Sequence, residues 1–198
     1  GGKVIRPWLG ASGQTMTADM ASSLGLDRPE GVVLNRVHPS GPAAEAGLRV
    51  GDVVLSIDGK PLLDAQSLKF RLGTRSIGGQ AILTILRGGR RIDTAVDLIA
   101  PPNVPDPEPI TVRGGIPLAG ASFTNLNPAF NEEKGIDTML TGVAVTDVAR
   151  GSPADQLGFQ PGDMLLEING RSIDAIADLK QVLVSPPKEW ALKVGRGG

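Results

Sequence analysis

Cysteine and tyrosine are absent from the 198 residues, and histidine occurs once. Without cysteine the chain can form no disulfide, thiolate–zinc site or thiol nucleophile, and the lack is compatible with an oxidising compartment. One histidine without cysteine is too few for a structural zinc site. A Ser-His-Asp triad would have to be built on that one ring. His38 sits in a Val-His-Pro turn after a β-branched segment, which suits a surface or turn role. No cofactor, metal site or catalytic residue is expected. Aromatic residues make up 3%. No apolar run nears the roughly 20 residues needed to cross a bilayer, so no membrane contact is expected through this chain. No signal-peptide pattern opens it. Dense positive charge is missing too. Residues 1–99 carry 12 Lys+Arg against 9 Asp+Glu, and residues 100–198 carry 8 against 12. Nucleic-acid binding is therefore not expected.

Glycine (27) and proline (16) are abundant, favouring short strands and many turns over long helices. The chain also repeats itself. Residues 31–60 read GVVLNRVHPSGPAAEAGLRVGDVVLSIDGK, and residues 142–171 read GVAVTDVARGSPADQLGFQPGDMLLEINGR. The offset of 111 holds without a gap from Gly31 to about Leu72. It aligns Pro42 with Pro153, Gly47 with Gly158, Asp52 with Asp163, Gly59 with Gly170 and Leu68 with Leu179. Two copies at so long a period predict tandem domains rather than a solenoid. Between them Ala100–Pro109 holds five prolines in ten residues, which forbids a regular helix or a central strand and predicts a semi-rigid spacer. The expected boundaries are 1–99 for the first domain, 100–114 for the linker and 115–198 for the second domain.

Each copy predicts the same elements. In the first, Trp8–Gln14 reads as a strand, Thr17–Leu24 as a short helix capped by Thr17, and Gly31–Val37 as a strand. Pro42–Ala46 reads as a helical turn closed by Gly47. Asp52–Ile57 is a strand ended by the Asp58-Gly59 type I′ signal, and Asp64–Leu72 a helix capped by Asp64. Ala81–Arg87 and Arg91–Leu98 form a hairpin across Gly88-Gly89. The second copy adds Asn127-Pro128 as a helix opening and stops where the first begins its last strand, so its closing strand is missing. The class is mostly β with short helices (α+β), a barrel or sandwich in each copy. Asp52 and Asp163 are expected to cap local backbone at a strand entry.

The segments GPAAEAGLRVGDVVLSIDGKPL and GSPADQLGFQPGDMLLEINGRSI resemble the PDZ domain. Trp8-Leu9-Gly10-Ala11 fits that family's carboxylate-binding loop, and Leu118-Ala119-Gly120-Ala121 fits it more weakly. The loop precedes the Pro-Ala-Gly turn, an order similar to the circularly permuted bacterial PDZ domains. Two such domains in a row resemble the C-terminal half of the HtrA/Deg serine proteases; the trypsin-like domain and its Gly-Asn-Ser-Gly turn do not occur here. The resemblance implies two barrel- or sandwich-like domains that bind hydrophobic C-termini or extended segments of unfolded proteins by β-augmentation. It also implies a periplasmic setting (any inner-membrane anchor lying outside this chain), a protease domain in cis and a homo-oligomer in the full-length protein. A protease-free scaffold or a secretion-apparatus protein is the alternative.

The expected peptide site of the first domain is Trp8, Leu9, Gly10 and Ala11 with Ala65, Lys69 and Leu72, the last three sharing one helical face. Successive N–H groups at the Gly10 bend would hold a carboxylate. The matching set in the second domain is Leu118, Ala119, Gly120, Ala121, Ile176, Lys180 and Leu183. Binding there is expected to be weaker. Only alanines flank Gly120, that half of the chain is net negative, and Ile176 is expected to narrow the groove mouth where the first domain has Ala65.

Overall fold

The computed structural model describes residues 4–197, and the chain divides into two compact units between Pro102 and Asn103. The first unit runs β1 (Ala11–Thr15), α1 (Ala18–Ser23), β2 (Val32–Val37), α2 (Pro42–Glu45), β3 (Val53–Ile57), β4 (Lys60–Pro61), α3 (Ala65–Gly73), β5 (Gln80–Arg87) and β6 (Arg90–Asp97). Its antiparallel sheet has the order β1-β2-β3-β5-β6, with β4 on β3, and does not close into a barrel. The turn chemistry places these elements. Thr17 accepts from Met20 N–H at 3.2 Å and Asp64 from Ser67 N–H at 2.7 Å, which starts α1 and α3 where a side-chain oxygen can meet an orphan donor. Asp58 and Gly59 both have positive φ, 48° and 76°. They make the two-residue loop that pairs Ile57 with Lys60. The core lies between the sheet and α3, with Val32, Leu34, Val54, Leu68, Leu83 and Ile85 buried.

The second unit runs β7 (Ile110–Thr111), β8 (Ala121–Leu126), α4 (Pro128–Lys134), β9 (Gly142–Val148), α5 (Pro153–Gln156), β10 (Met164–Ile168), β11 (Arg171–Ser172), α6 (Ile176–Val184) and β12 (Leu192–Gly195). Its sheet order is β11-β10-β9-β8-β7, with β12 on β10. Asn127 caps α4 by accepting from Phe130 N–H at 2.7 Å, and Gly135 ends it at φ 68°. Residue 175, at the place of Asp64, is alanine and cannot cap with its side chain. Asp178 instead reaches back to Ala175 N–H at 3.0 Å, and Asn125 Oδ1 accepts from Ile176 N–H at 2.7 Å. The counterpart of β12 in the first unit is β5, which β6 covers. Among the described residues β12 pairs only with β10.

The proline-rich stretch is not a free spacer throughout. From Asn103 onward it lies against the second unit. Pro107 O accepts from Asn125 N–H at 2.8 Å, and Val112 exchanges bonds with Ala121 O and Gly120 N–H, both at 2.9 Å. Ile110 and Thr111 pair with Phe123 and Ser122. Prolines bar a central strand, but an edge strand needs donors on one side only. With Pro107 and Pro109 bringing no N–H, the stretch can end a sheet without offering a row of donors for another strand.

Both units share a clasp. Asp52 accepts from Arg49 N–H at 2.8 Å and from Arg87 Nε and Nη2, each at 2.7 Å, while Arg87 Nη2 also donates to Gly47 O at 2.8 Å. Asp163 does the same with Gln160 N–H at 2.8 Å and Arg196 Nε and Nη2 at 2.7 and 2.8 Å, and Arg196 also holds Gly158 O. The strand-entry aspartates thus tie a turn to a late strand through a two-pronged ion pair. Burial pushes the Asp52 carboxyl upward, but Arg87 and the Arg49 N–H outweigh it and hold its pKa below the usual 3.8; Arg196 holds Asp163 down likewise. A depressed folded pKa adds stability that is full above the unfolded value and disappears as pH falls through the folded one. Asp52→Asn is expected to cost the first unit about 1–3 kcal/mol at pH 7. Urea melts at a series of pH values should show this gap to wild type closing below about pH 4. A gap independent of pH would mean that the carboxylate's charge contributes nothing.

Candidate peptide-binding grooves

In the first unit the Gly10 loop stands at the start of β1, and β1 is the sheet edge. Gly10 has φ 69°, and a Cβ there would lie 3.0 Å from Gly41 Cα and 3.2 Å from the Trp8 ring, so both conformation and packing call for glycine. Trp8 is 7% exposed. Its ring lies against Gly10 and Gly41 and meets His38 edge-on at 5.2 Å between centroids. Trp8 therefore supports the loop from beneath, which differs from the groove position expected for it. The His38 ring accepts from Ser40 N–H at 3.2 Å, and burial lowers its pKa, so it is a neutral turn-forming group at pH 7. The backbone of the loop is pinned by His38 N–H on Gly10 O at 2.7 Å and Ala43 N–H on Leu9 O at 3.0 Å. The N–H groups of Leu9 and Gly10 meet no acceptor among the described residues. Two adjacent donors at a left-handed bend can hold an anion.

Across from β1 stands α3, tied to its far end by Ala65 N–H on Thr15 Oγ1 at 3.2 Å. Leu9 and Leu72 belong to the core, and Ala11 and Ala65 pack partly exposed against it. Together they form an apolar patch beside the free donors. Lys69 is exposed and has no ion partner among the described residues. Leu72 is 8% exposed, so a charge placed there would break the core before it tested binding. The outer half of β1 is open, with Gln14 and Thr15 exposed.

The second unit has the same parts in a different state. Leu118 and Ala121 are fully buried, and Leu183 packs against the same core; Ala119 is 4% exposed. Ile176 does not stand at a groove mouth: it is fully buried, in the core with Ile173 and Leu179. Its side chain turns inward because α6 begins at Ile176 and tucks its first turn under Asn125. The loop donors are all engaged: Ala119 N–H on Ile116 O at 3.0 Å, Gly120 N–H on Val112 O at 2.9 Å and Ala121 N–H on Leu118 O at 3.2 Å. Lys180 forms an ion pair with Glu108. Four consecutive β8 residues, 123–126, are buried, where β1 is mostly open.

Sequence reasoning missed an apolar cavity of about 550 Å³ in the second unit, lined by Leu126, Phe130, Ile136, Leu140, Ala144 and Met164. The matching layer of the first unit is filled by Met16, Val53 and Leu86. Strand register puts Gly195 at the place of Leu86, and the repeat puts Ala144 at that of Val33. The smaller side chain at Ala144, which lies within the aligned repeat, was the available signal.

Glycine is needed more strictly at position 120 than at 10. With φ 91°, a Cβ on Gly120 would lie 2.1 Å from Ser152 Cβ, a contact no rotamer relieves. Gly120→Ala is expected to destabilise its unit by more than the roughly 1–3 kcal/mol of backbone strain alone. Gly10→Ala should cost its own unit less. Thermal melts of both variants, followed by a probe in each unit, would show the order; equal losses would contradict it.

Comparison with known families matches residues 8–98 and, separately, residues 144–195 to the PDZ domain. Among curated relatives, a probable DegP-like periplasmic serine endoprotease of Pseudomonas putida (strain W619) is 35% identical over 197 residues, 98% of this chain and 41% of that protein. The periplasmic serine endoprotease DegP of Escherichia coli (strain K12) is 32% identical over 197 residues, 99% of this chain and 38% of that protein. The chain thus spans about two fifths of the length of these relatives. Among solved structures, the HtrA-type protease AlgW with a decapeptide aligns at 33% identity and TM-score 0.45, covering 50% of this chain and 30% of that one. The match to one family at both copies of the repeat decides the assignment: the chain belongs to the PDZ family, with two PDZ domains in tandem similar to the PDZ region of DegP-like endoproteases.

Proposed function

We propose that the first PDZ domain is the peptide receptor of a periplasmic HtrA/Deg-type serine endopeptidase, taking hydrophobic C-termini of unfolded proteins. The observation that carries this reading is the pair of unengaged donors at Leu9 and Gly10 beside an open strand edge. A terminal carboxylate satisfies the donors without a charged side chain. The residues before it add to β1 as a further strand, and the last side chain reaches Leu9, Ala11, Ala65 and Leu72. Burying one such side chain is worth about 1.5–3 kcal/mol. The hydrolytic chemistry belongs to a protease domain outside this chain, since its one imidazole serves a turn. Likeness to the DegP-like proteins supports the protease in cis and the periplasmic setting; assembly of the full-length protein into a homo-oligomer is part of the proposal and rests on the family resemblance alone.

A peptide ending in a free apolar residue should shift the amide resonances of Leu9, Gly10 and β1 on titration, and its C-terminal amide should bind at least about tenfold more weakly, consistent with loss of a charge-assisted hydrogen bond worth roughly 1.5–3 kcal/mol. Lys69→Glu should weaken binding of a peptide with glutamate four residues before its end by roughly 1.5- to 5-fold, the scale of an exposed ion pair, and leave the alanine version unchanged. Equal affinity for the free acid and the amide would overturn the carboxylate reading.

A further inference from the structure

We propose that residues 105–112 are an internal ligand of the second PDZ domain, held in its groove as a displaceable segment of the same chain. The emptied groove would take extended peptides that end in a β-branched residue, with another two positions before and an acidic residue four before. This inference rests on the PDZ fold of the second unit and is independent of the reading given to the first groove.

Direction is the first observation. The segment lies antiparallel to β8, Ile110 on Phe123 and Thr111 on Ser122, so its C-terminal end meets the Gly120 loop. Val112 O takes the Gly120 N–H at 2.9 Å, while the corresponding N–H of Gly10 meets no acceptor among the described residues. A backbone carbonyl thus stands where a terminal carboxylate would. The chain then leaves through the exposed residues 113–115, with Gly114 at φ 105°.

Side-chain placement is the second. Val112 is 3% exposed, and it and Ile110 join the cluster of Leu118, Phe123, Leu179 and Leu183. Glu108 lies before the strand, at φ 44°, and its side chain is placed by its contact rather than by strand alternation. It pairs with Lys180 of α6, whose counterpart Lys69 has no such partner. The segment therefore spans from the β8 edge to the helix wall.

The third observation is how the segment is held upstream. Asn127 Nδ2 donates to Pro105 O at 2.6 Å and Asn125 Nδ2 to Asp106 O at 2.8 Å. Thr124 Oγ1 donates to Pro107 O at 2.7 Å. The corresponding β1 residues Gln14 and Thr15 are exposed. The three donors are polar groups that water can serve in place of the segment's carbonyls when it leaves, which limits the cost of departure. Prolines keep the released segment extended, limiting the ordering cost of rebinding. A short tether presents it at a local concentration in the millimolar range, which a free peptide at lower concentration does not match.

The test uses the full chain and a synthetic peptide of residues 103–112 with a free carboxylate. In wild type the Gly120 and Asn125 amides should exchange slowly, and the peptide should not shift second-domain resonances. In the Ile110→Ser/Val112→Ser chain these two amides should lose protection while the Val145 amide, bonded to Asp163 O within the sheet, keeps it. The peptide should then bind the second groove at least about tenfold more tightly than it binds that groove in wild type. Glu108→Lys is a milder variant, expected to speed exchange at Asn125 alone, with Lys180→Glu in the same chain restoring it. The proposal is overturned if Val145 loses protection together with Gly120 in both designs, because the segment is then ordinary core. It is also overturned if the opened groove ignores the peptide, or if wild type binds it equally well. Resonances of Leu9 and Gly10 in the same spectra report the first groove separately.

Discussion

A sheet edge is a row of unpaired donors and acceptors, and each of these two domains has to deal with one beside its glycine loop. In the first domain the row stays open along β1, and two loop donors stay with it. In the second the chain's own residues 107–112 complete the row on β8. Backbone groups kept from water must be paired, so this difference leaves a pairing edge free in the first domain and filled in the second. The rest of the fold holds the two possibilities in a common frame. The same sheet order places the edge, the same helix faces it, and the same aspartate–arginine clasp ties turn to strand behind it.

The frame was legible in the sequence because it depends on local chemistry. Gly10, Gly47 and Gly59 adopt positive φ, and their copies at 120, 158 and 170 do likewise. Asp58-Gly59 and Asn169-Gly170 each form a turn that fixes strand register. Asp64, Thr17 and Asn127 sit at helix starts as their side chains allow. What the sequence did not disclose is chemistry that closes over long separations. The aspartates of the clasp were read as local caps, while their arginine partners lie 35 and 33 residues away. The repeat offset also falls from 111 to 109 before those arginines, which took them out of the alignment. The recurring Arg-Gly-Gly at 87 and 196 was the remaining signal.

For the second groove the structure moves one of the expected causes of weak binding and shows a feature that composition left out. Weak binding was inferred from the small residues around Gly120, from net charge and from Ile176. Charge acts over no more than roughly a Debye length of 8 Å in physiological salt. Ile176 is inside the core. The added feature is a strand from the proline-rich stretch on β8. Composition had marked that stretch as unable to form a central strand, and it forms none. It could equally have been read as suited to an edge, because a proline that lacks a donor loses nothing on the side of a strand that faces no partner.

Asn125 shows how the occupied edge and the helix beside it have become one arrangement. The first domain starts α3 with Asp64, a residue that caps its own helix and needs nothing from β1 beyond one bond from Ala65 N–H to Thr15 Oγ1. The second has alanine at 175, and the α6 donor at Ile176 turns to Asn125 Oδ1. An amide whose oxygen is taken by the helix must point its nitrogen the other way, and that nitrogen meets Asp106 O. Its backbone N–H meets Pro107 O. One side chain thus reads the helix start with one end and the bound segment with the other, while its main chain belongs to the sheet. A threonine at this place, as in the first domain, has one oxygen for both tasks, where asparagine divides them between Oδ1 and Nδ2. The change from aspartate to alanine at the cap and from threonine to asparagine on the edge strand together make a strand edge that recognises carbonyls.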